Sequence, residues 1–326
     1  DDPQLTVRMV EGPQPVRLVV DPLAEIDLAF PFWIKPVKSV SSYLAFRIRD
    51  QRDFDQALRT LRSEIDRLAV PFDHILGHAR LPPQIAAVSG RHCIAEAEIS
   101  RGRQCTLEGY VYEGEVVVYG VFDSVRAGGG RSSFARYQYP STLPARVRRR
   151  MAAITRRFMT HIGYDGAPFN VEYFWDPRDD AIRMLEVNTR ISKSHCPLFK
   201  MVDGEYHHAV NLALGLGRRP DFPFRRGQHR VAAKFMLRHF RDARVARVPD
   251  AAELEALRAR FPDTEIELHV APGMRLSQLH VQDSYSYEVA VIYMGAPDQP
   301  TLLRNYARLV DAMNLVFEDD GGERVR

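Results

Sequence analysis

The chain has few cysteines, no excess of charge of either sign and no long apolar run, and each shortage removes a class of answer. The three cysteines, Cys93, Cys105 and Cys196, are odd in number and lack the spacing of a metal site. A disulfide-stapled module is excluded on that count, and a reduced cytoplasmic setting is the simplest account. Against 45 Lys and Arg stand 42 Asp and Glu, a net charge of +3, so no global field draws the chain to nucleic acid or a membrane. No apolar run approaches the roughly 20 residues of a membrane span, and no signal peptide opens the chain. It begins with Asp1 rather than Met, from which we expect an upstream part to have been removed. A standard phosphate loop is missing too. Gly128-Gly129-Gly130 lacks the following Lys-Ser/Thr and does not sit between a strand and a helix.

What is present is enough sequence for two or three units with cores of their own, 326 residues of which 45% are hydrophobic. The most informative stretch is Gly166 to His195, GAPFNVEYFWDPRDDAIRMLEVNTRISKSH. Two runs rich in aromatic and branched residues, Phe169 to Phe174 and Ile182 to Val187, flank a linker of turn formers, which predicts a hairpin about Pro177 to Asp180. Such a hairpin sets Glu172 opposite Glu186 and Asn170 opposite Asn188, with Val171, Tyr173, Leu185 and Val187 on the other face. Opposed carboxylates repel, so the acidic face either points into bulk water or is built to be neutralised by a cation. Two acids and an amide suit a hard ion such as Mg2+ that shares its shell with phosphate oxygens.

On Glu172, Glu186, Asn188 and Arg190 the chain resembles the ATP-grasp superfamily, whose signature is an acid on one strand, E-x-N on the next and, in biotin carboxylase-like members, Arg two residues on. The resemblance covers roughly Ala29 to the C-terminus. It implies an α+β fold with two subdomains gripping ATP and a β-rich C-terminal module: 1–28 as a linker or remnant, 29–99 as the first subdomain, 100–217 as the second and 218–326 as the module. It also implies metal ligands Glu172, Glu186 and Asn188 for Mg2+ or Mn2+, and a catalytic Arg190 facing charge that forms during reaction.

The remaining segments follow that frame. Lys35 in FPFWIKPV either snorkels from its strand or points along a cleft where an anion offsets its desolvation. The resemblance makes it the lysine on nucleotide phosphate, catalytic as well as binding, with Lys38 second. The serine-rich Lys38 to Ser42 stands where many relatives carry a glycine-rich loop. A strand from Tyr43 to Ile48 and a core helix from Asp53 follow, then a loop-bearing connection over 71–92. Cys93 to Ile99 reads as a plain amphipathic strand or, by resemblance, as the hinge where adenine meets the main chain at Ala97 and acidic Glu96 or Glu98. Gln104 falls where relatives hold ribose. A hairpin turns at Glu113-Gly114, and Arg126 to Tyr139 reads either as a loop carrying Arg131 and Arg136 to an anion or as a surface loop. Helices are expected over Pro144 to Ile162 and Gly204 to Gly215. Strands at Val231, Glu265 and Tyr287 carry Lys234, Arg238 and His269 as candidate substrate contacts.

The resemblance implies a ligase that activates a carboxylate as an acylphosphate and joins it to an amine, with small-molecule partners, no nucleic acid and no membrane; it admits a homodimer. Bicarbonate chemistry is a rival. The carboxylase run has an acid immediately before the His, whereas this chain has Ser194. A nucleotide-binding module without turnover is the other rival.

Overall fold

Alternating apolar residues build two main sheets, each with its own helices and core, and a small third one. The computed structural model describes residues 16–19, 28–39, 42–81, 83–86, 88–128, 133–279, 282–283, 285–319 and 324–325. Residues 1–15 and 20–27 of the expected linker, Val40 and Ser41 of the serine-rich loop, and Gly129, Gly130 and Arg131 lie outside them. The chain forms two compact units, Asp1–Ile99 with His280–Tyr285, and Ser100–Leu279 with Ser286–Arg326.

In the first unit, strands β1 (Val16–Val19), β2 (Phe32–Pro36), β3 (Phe46–Ile48) and β4 (Cys93–Ala97) form an antiparallel sheet in the order β1-β4-β2-β3. Phe32, Ile34, Ile48 and Ala95 face helix α1 (Gln51–Glu64), which contributes Ala57 and Leu61 to the core. Asp50 caps α1 by accepting the Asp53 N–H at 2.9 Å. The expected strand from Tyr43 is shorter, because 42–44 form a turn with Ser42 and Leu44 at positive φ. The expected loop over 71–92 begins late. Helix α2 (Asp66–Leu76) follows α1 after Ile65 and contains Pro71, which has no N–H to give to the carbonyl four residues earlier. A short helix α3 (Pro83–Ala86) precedes β4.

The second unit is organised by an eight-stranded sheet. Strands β5 (Arg103–Tyr112) and β6 (Glu115–Arg126) meet at the expected turn, where Glu113 and Gly114 both take positive φ as a tight hairpin requires. Strand β7 (Phe134–Tyr139) lies where a loop was one expectation; its aromatic residues pair with β6, and the glycine run before it hid the strand pattern. Helix α4 (Ala145–His161), β8 (Ala167–Asp176) and β9 (Ala181–Asn188) follow. Next comes a helix that the sequence pattern did not reveal, α5 (Cys196–Asp203), closed by Gly204 at φ 97°; α6 is accordingly only His208–Gly215. The last part supplies β10 (Val231–His239), β11 (Arg244–Arg247), α7 (Ala251–Arg260), β12 (Glu265–Leu268), β13 (Tyr287–Ala296), α8 (Gln299–Met313), β14 (Val316–Glu318) and β15 (Arg324–Val325). The large sheet runs β12-β13-β10-β7-β6-β5-β8-β9, so strands from beyond Gly217 extend the sheet that the acidic hairpin ends; β11, β14 and β15 form a small sheet.

Alternation sorts the large sheet's two faces. Val231, Ala233 and Phe235 of β10 pack with Leu302 and Leu309 of α8, while on the same side Cys105 and Tyr173 meet Met151 and Thr155 of α4. On the opposite face Phe122, Tyr139, Ala232 and Met236 pack with Leu198 and Phe199 of α5. Gly120 admits that helix, for a Cβ there would sit 2.5 Å from the Phe199 ring. The polar residues below share this second face. Among the described residues no helix is long and apolar enough to cross a membrane.

Candidate functional site

Glu172 pairs with Glu186 and Asn170 with Asn188 across β8 and β9, as the hairpin pattern requires. The turn is anchored by Asp180, which accepts Trp175 Nε1 at 2.8 Å and is held by Arg146 and Arg150 of α4. A register shift after Glu172 puts Met184, not Leu185, opposite Tyr173. The extra residue corrects the expected face assignment of Leu185. Such a bulge bends its strand and re-aims the side chains beside it.

The polar groups form a connected chain. Arg126 donates to Gln104 Oε1 at 2.7 Å, and Gln104 Nε2 donates to Glu172 Oε2 at 2.8 Å. Asn188 Nδ2 donates to Glu186 Oε1 at 3.0 Å and to Asn170 Oδ1 at 3.1 Å, while Asn170 Nδ2 donates to the Arg190 carbonyl at 3.0 Å. Arg190 Nη2 reaches Asn188 Oδ1 at 3.3 Å. Gln104, expected at ribose, is buried here as the link between Arg126 and Glu172. Burial, and secondarily the neighbouring Glu186, push the Glu172 carboxyl up to about 7. Among the described residues no group of three or more His, Cys, Asp or Glu is gathered at a metal position. Two acids and an amide, one acid raised by burial and then by its partner, fit a hard divalent cation, whose charge relieves the repulsion.

Beneath Arg190 lies a buried layer that sequence reading missed. Glu108 Oε1 and His195 Nδ1 are 2.6 Å apart, and His195 stacks on Phe122 with centroids 3.8 Å apart. Burial raises the Glu108 carboxyl well above its ordinary range and lowers His195 well below its own, so the pair is neutral and one proton serves both. His207 Nε2 meets the Ser192 carbonyl at 3.0 Å, which makes it the donor and leaves Nδ1 to accept from the Tyr119 hydroxyl at 3.2 Å. The turn from Arg190 to His195 is thus held from β5, β6 and the start of α6. The one signal available was an acid, Glu108, amid the otherwise uncharged run from Gln104 to Tyr112. Since Glu108 is neutral, Glu108→Gln should lose less than about 1 kcal/mol in urea unfolding, and Glu108→Ala about 2–4 kcal/mol. Equal losses would mean that a charge is needed there.

Lys234 Nζ donates to Ser194 Oγ at 3.1 Å. Of the other candidate substrate contacts, Arg238 is engaged by Glu288, Ser286 and the Phe134 carbonyl, and His269 lies 3.5 Å from Glu288.

In the first unit Lys35 pairs with Glu96 at 2.8 Å, Glu98 pairs with Arg47 at 2.9 Å, and Ala97 sits opposite Phe32. Lys38 lies over the Phe72 ring, 5.9 Å from its centroid. Glu96 and Glu98 therefore engage cations in this structure, and Lys35 is part-buried beside a carboxylate. If Lys35 serves phosphate, Lys35→Ala should weaken ATP binding by about 2 kcal/mol, roughly thirtyfold in calorimetry. The melting temperature should hardly change, because a part-exposed ion pair contributes little. Unchanged ATP affinity would return Lys35 to the role of an ordinary strand lysine.

The profile of the ATP-grasp domain matches residues 28–196. No curated protein matches the sequence. Among solved structures, the chain is similar to L-amino acid ligase from Bacillus licheniformis at 15% identity and a TM-score of 0.65, over 94% of this chain and 68% of that one. It is similar to carboxyaminoimidazole ribonucleotide synthase from Aspergillus clavatus, solved with ATP, at 15% identity and a TM-score of 0.58, over 88% of this chain and 63% of that one. Biotin carboxylase from Campylobacter jejuni, in an ATP complex, gives 14% identity and a TM-score of 0.54, over 89% of this chain and 58% of that one. At such identities the likeness is one of fold, and the chain spans less than two thirds of the last two.

Proposed function

This chain belongs to the ATP-grasp family, and from that premise we propose that it is an ATP-dependent ligase that activates a carboxylate, that of an amino acid, as an acylphosphate and joins it to an amine, releasing ADP and phosphate. The observation that carries the reading is the pairing of Glu172 with Glu186 and of Asn170 with Asn188, which brings both acids and Asn188 together beside Arg190. Glu172, Glu186 and Asn188 hold Mg2+, which when bound neutralises phosphate charge and aligns the phosphoryl group for transfer. Lys35 binds nucleotide phosphate. Gln104 and Arg126 hold Glu172 in place. Arg190, whose carbonyl is fixed by Asn170, turns its guanidinium to the negative charge that develops as the carboxylate attacks and as phosphate later leaves.

An amine acceptor is favoured over bicarbonate because Ser194, not an acid, precedes His195. The fold likeness to L-amino acid ligase supports amino acids as substrates. The test is ADP release with ATP and Mg2+ across single standard L-amino acids, their pairs, and bicarbonate. Release that depends on an amino acid or a pair supports the reading. Release with bicarbonate alone would replace it by a carboxylase, and no release under any condition would leave a nucleotide-binding module.

A further inference from the structure

Resting on the carboxylate–amine ligase reading, we propose that Lys234, through the hydroxyl of Ser194, accepts the proton that the substrate amine must lose before it attacks the acylphosphate. Lys234 sits mid-strand in β10, between Tyr137 of β7 and Tyr293 of β13, with its ammonium 5.9 Å from the Tyr293 centroid. Its one hydrogen-bond partner among the described residues is Ser194 Oγ, and no described carboxylate lies within ion-pair distance. Ser194 is half-buried, four residues beyond Arg190, in the turn that His207 holds at the Ser192 carbonyl. A part-buried lysine, paired with a hydroxyl instead of an acid, is poised to exist as a free amine.

The surrounding charges agree. Burial lowers the Lys234 pKa; Glu288 of β13 and Glu267 of β12 oppose this, while Lys193 of the turn and Arg238 of β10 reinforce it. Tyr137, Tyr293 and His195 beside it are uncharged, the tyrosines raised and the histidine lowered by burial. In the step itself the substrate ammonium passes a proton to Ser194 Oγ as the Ser194 hydroxyl proton moves to Lys234 Nζ. The substrate is left as a neutral amine and Lys234 as an ammonium. The amine nitrogen then bonds to the acyl carbon, the acyl–phosphate bond breaks with its electron pair leaving on phosphate, and the second amine proton departs with that phosphate as the amide forms.

Hydroxylamine, uncharged at neutral pH, captures an acylphosphate without needing a base. The standard L-amino acids are therefore supplied singly with ATP, Mg2+ and hydroxylamine, then in pairs without it, and hydroxamate and dipeptide are measured. For Lys234→Met the ratio of dipeptide to hydroxamate at pH 7 should fall about a hundredfold, then climb about tenfold per pH unit as the amine loses its proton unaided. Ser194→Ala should lower the same ratio. Lys234→Arg can donate to Ser194 but stays protonated and cannot take up a proton, and should be as deficient as Lys234→Met. Rescue by arginine, or an unchanged ratio in both Lys234→Met and Ser194→Ala, overturns the proposal while leaving the ligase reading intact. A wild-type protein that makes neither hydroxamate nor dipeptide sinks both.

Discussion

Glu172→Gln and Glu186→Gln should each abolish ATP turnover, lowering kcat/KM by about a thousandfold or more, while the metal-free fold is kept or strengthened. Both parts of that expectation come from the same pair. On the proposed assignment each acid would supply oxygen to the cation, and its loss would remove charge from that site. In the absence of a cation, however, the two carboxylates work against folding.

For Glu172 the sign can be followed through. Its carboxyl is pushed up to about 7 from an ordinary value of 4.5, so the folded chain holds a proton there that the unfolded chain has released. Stability from this group is therefore full below about 4.5 and is lost as pH rises to about 7. Gln at 172 has no such loss. The variant's melting temperature relative to wild type should accordingly rise by about 2–4 °C between pH 5 and pH 8 in metal-free buffer. Added Mg2+ should stabilise wild type at pH 8 and leave Glu172→Gln unmoved. Retained ADP release in Glu186→Gln would refute the ligand assignment. A Mg2+ response in Glu172→Gln equal to that of wild type would refute the share given to Glu172.

Arg190→Ala should lower kcat about a hundredfold or more and change the Michaelis constant for ATP little. Among the described residues the exposed guanidinium makes a 3.3 Å contact to Asn188 and a 3.4 Å contact to the Ile191 carbonyl, so few of those bonds are lost with it. The backbone beneath is held independently, at the Arg190 carbonyl by Asn170 and at the Ser192 carbonyl by His207. Truncating the side chain should thus leave the turn in place, which makes the kinetic effect interpretable. Arg190→Lys should recover only part of the rate, since lysine keeps the charge and loses the planar fork. Steady-state kinetics with ATP varied decides the matter. A steep rise in the Michaelis constant with kcat near wild type would assign Arg190 to ground-state nucleotide binding instead.

The acidic hairpin could be read from the sequence because its information is local. Turn formers fix where the strands meet, and a period of two then fixes which residues oppose each other. The extra residue near Leu185 left no trace in that pattern, since a bulge is decided by the fit of one strand to another. Glu108 and His195 stand 87 residues apart, and only the sheet and α5 bring them together. Helix α5 is short and has proline at its N-terminal end, too little for its periodicity to stand out. Strand β7 was obscured for the opposite reason. The glycines before it and the arginines around it mimic a loop, while its aromatic residues gain their partners only once β6 and β10 lie alongside. Gln104 is the instructive case among site residues. Its chemistry suits a hydroxyl, but the tertiary fold had already committed both ends of its amide to Arg126 and Glu172.

Strand β9 closes its side of the eight-stranded sheet, bonded to β8 alone. Its outward backbone groups have no neighbouring strand among the described residues, so the strand bearing Glu186 and Asn188 is the one whose amides are least protected by cross-strand pairing. Terminal strands open at lower free energy than central ones and exchange their amide hydrogens sooner. Without a cation, deuterium should enter Ala181–Asn188 before it enters β5 or β6. A cation held as proposed by Glu172 and Glu186 would join β9 to β8 as a second fastening, and the slowing of exchange along β9 would be a register of occupancy that needs no turnover at all.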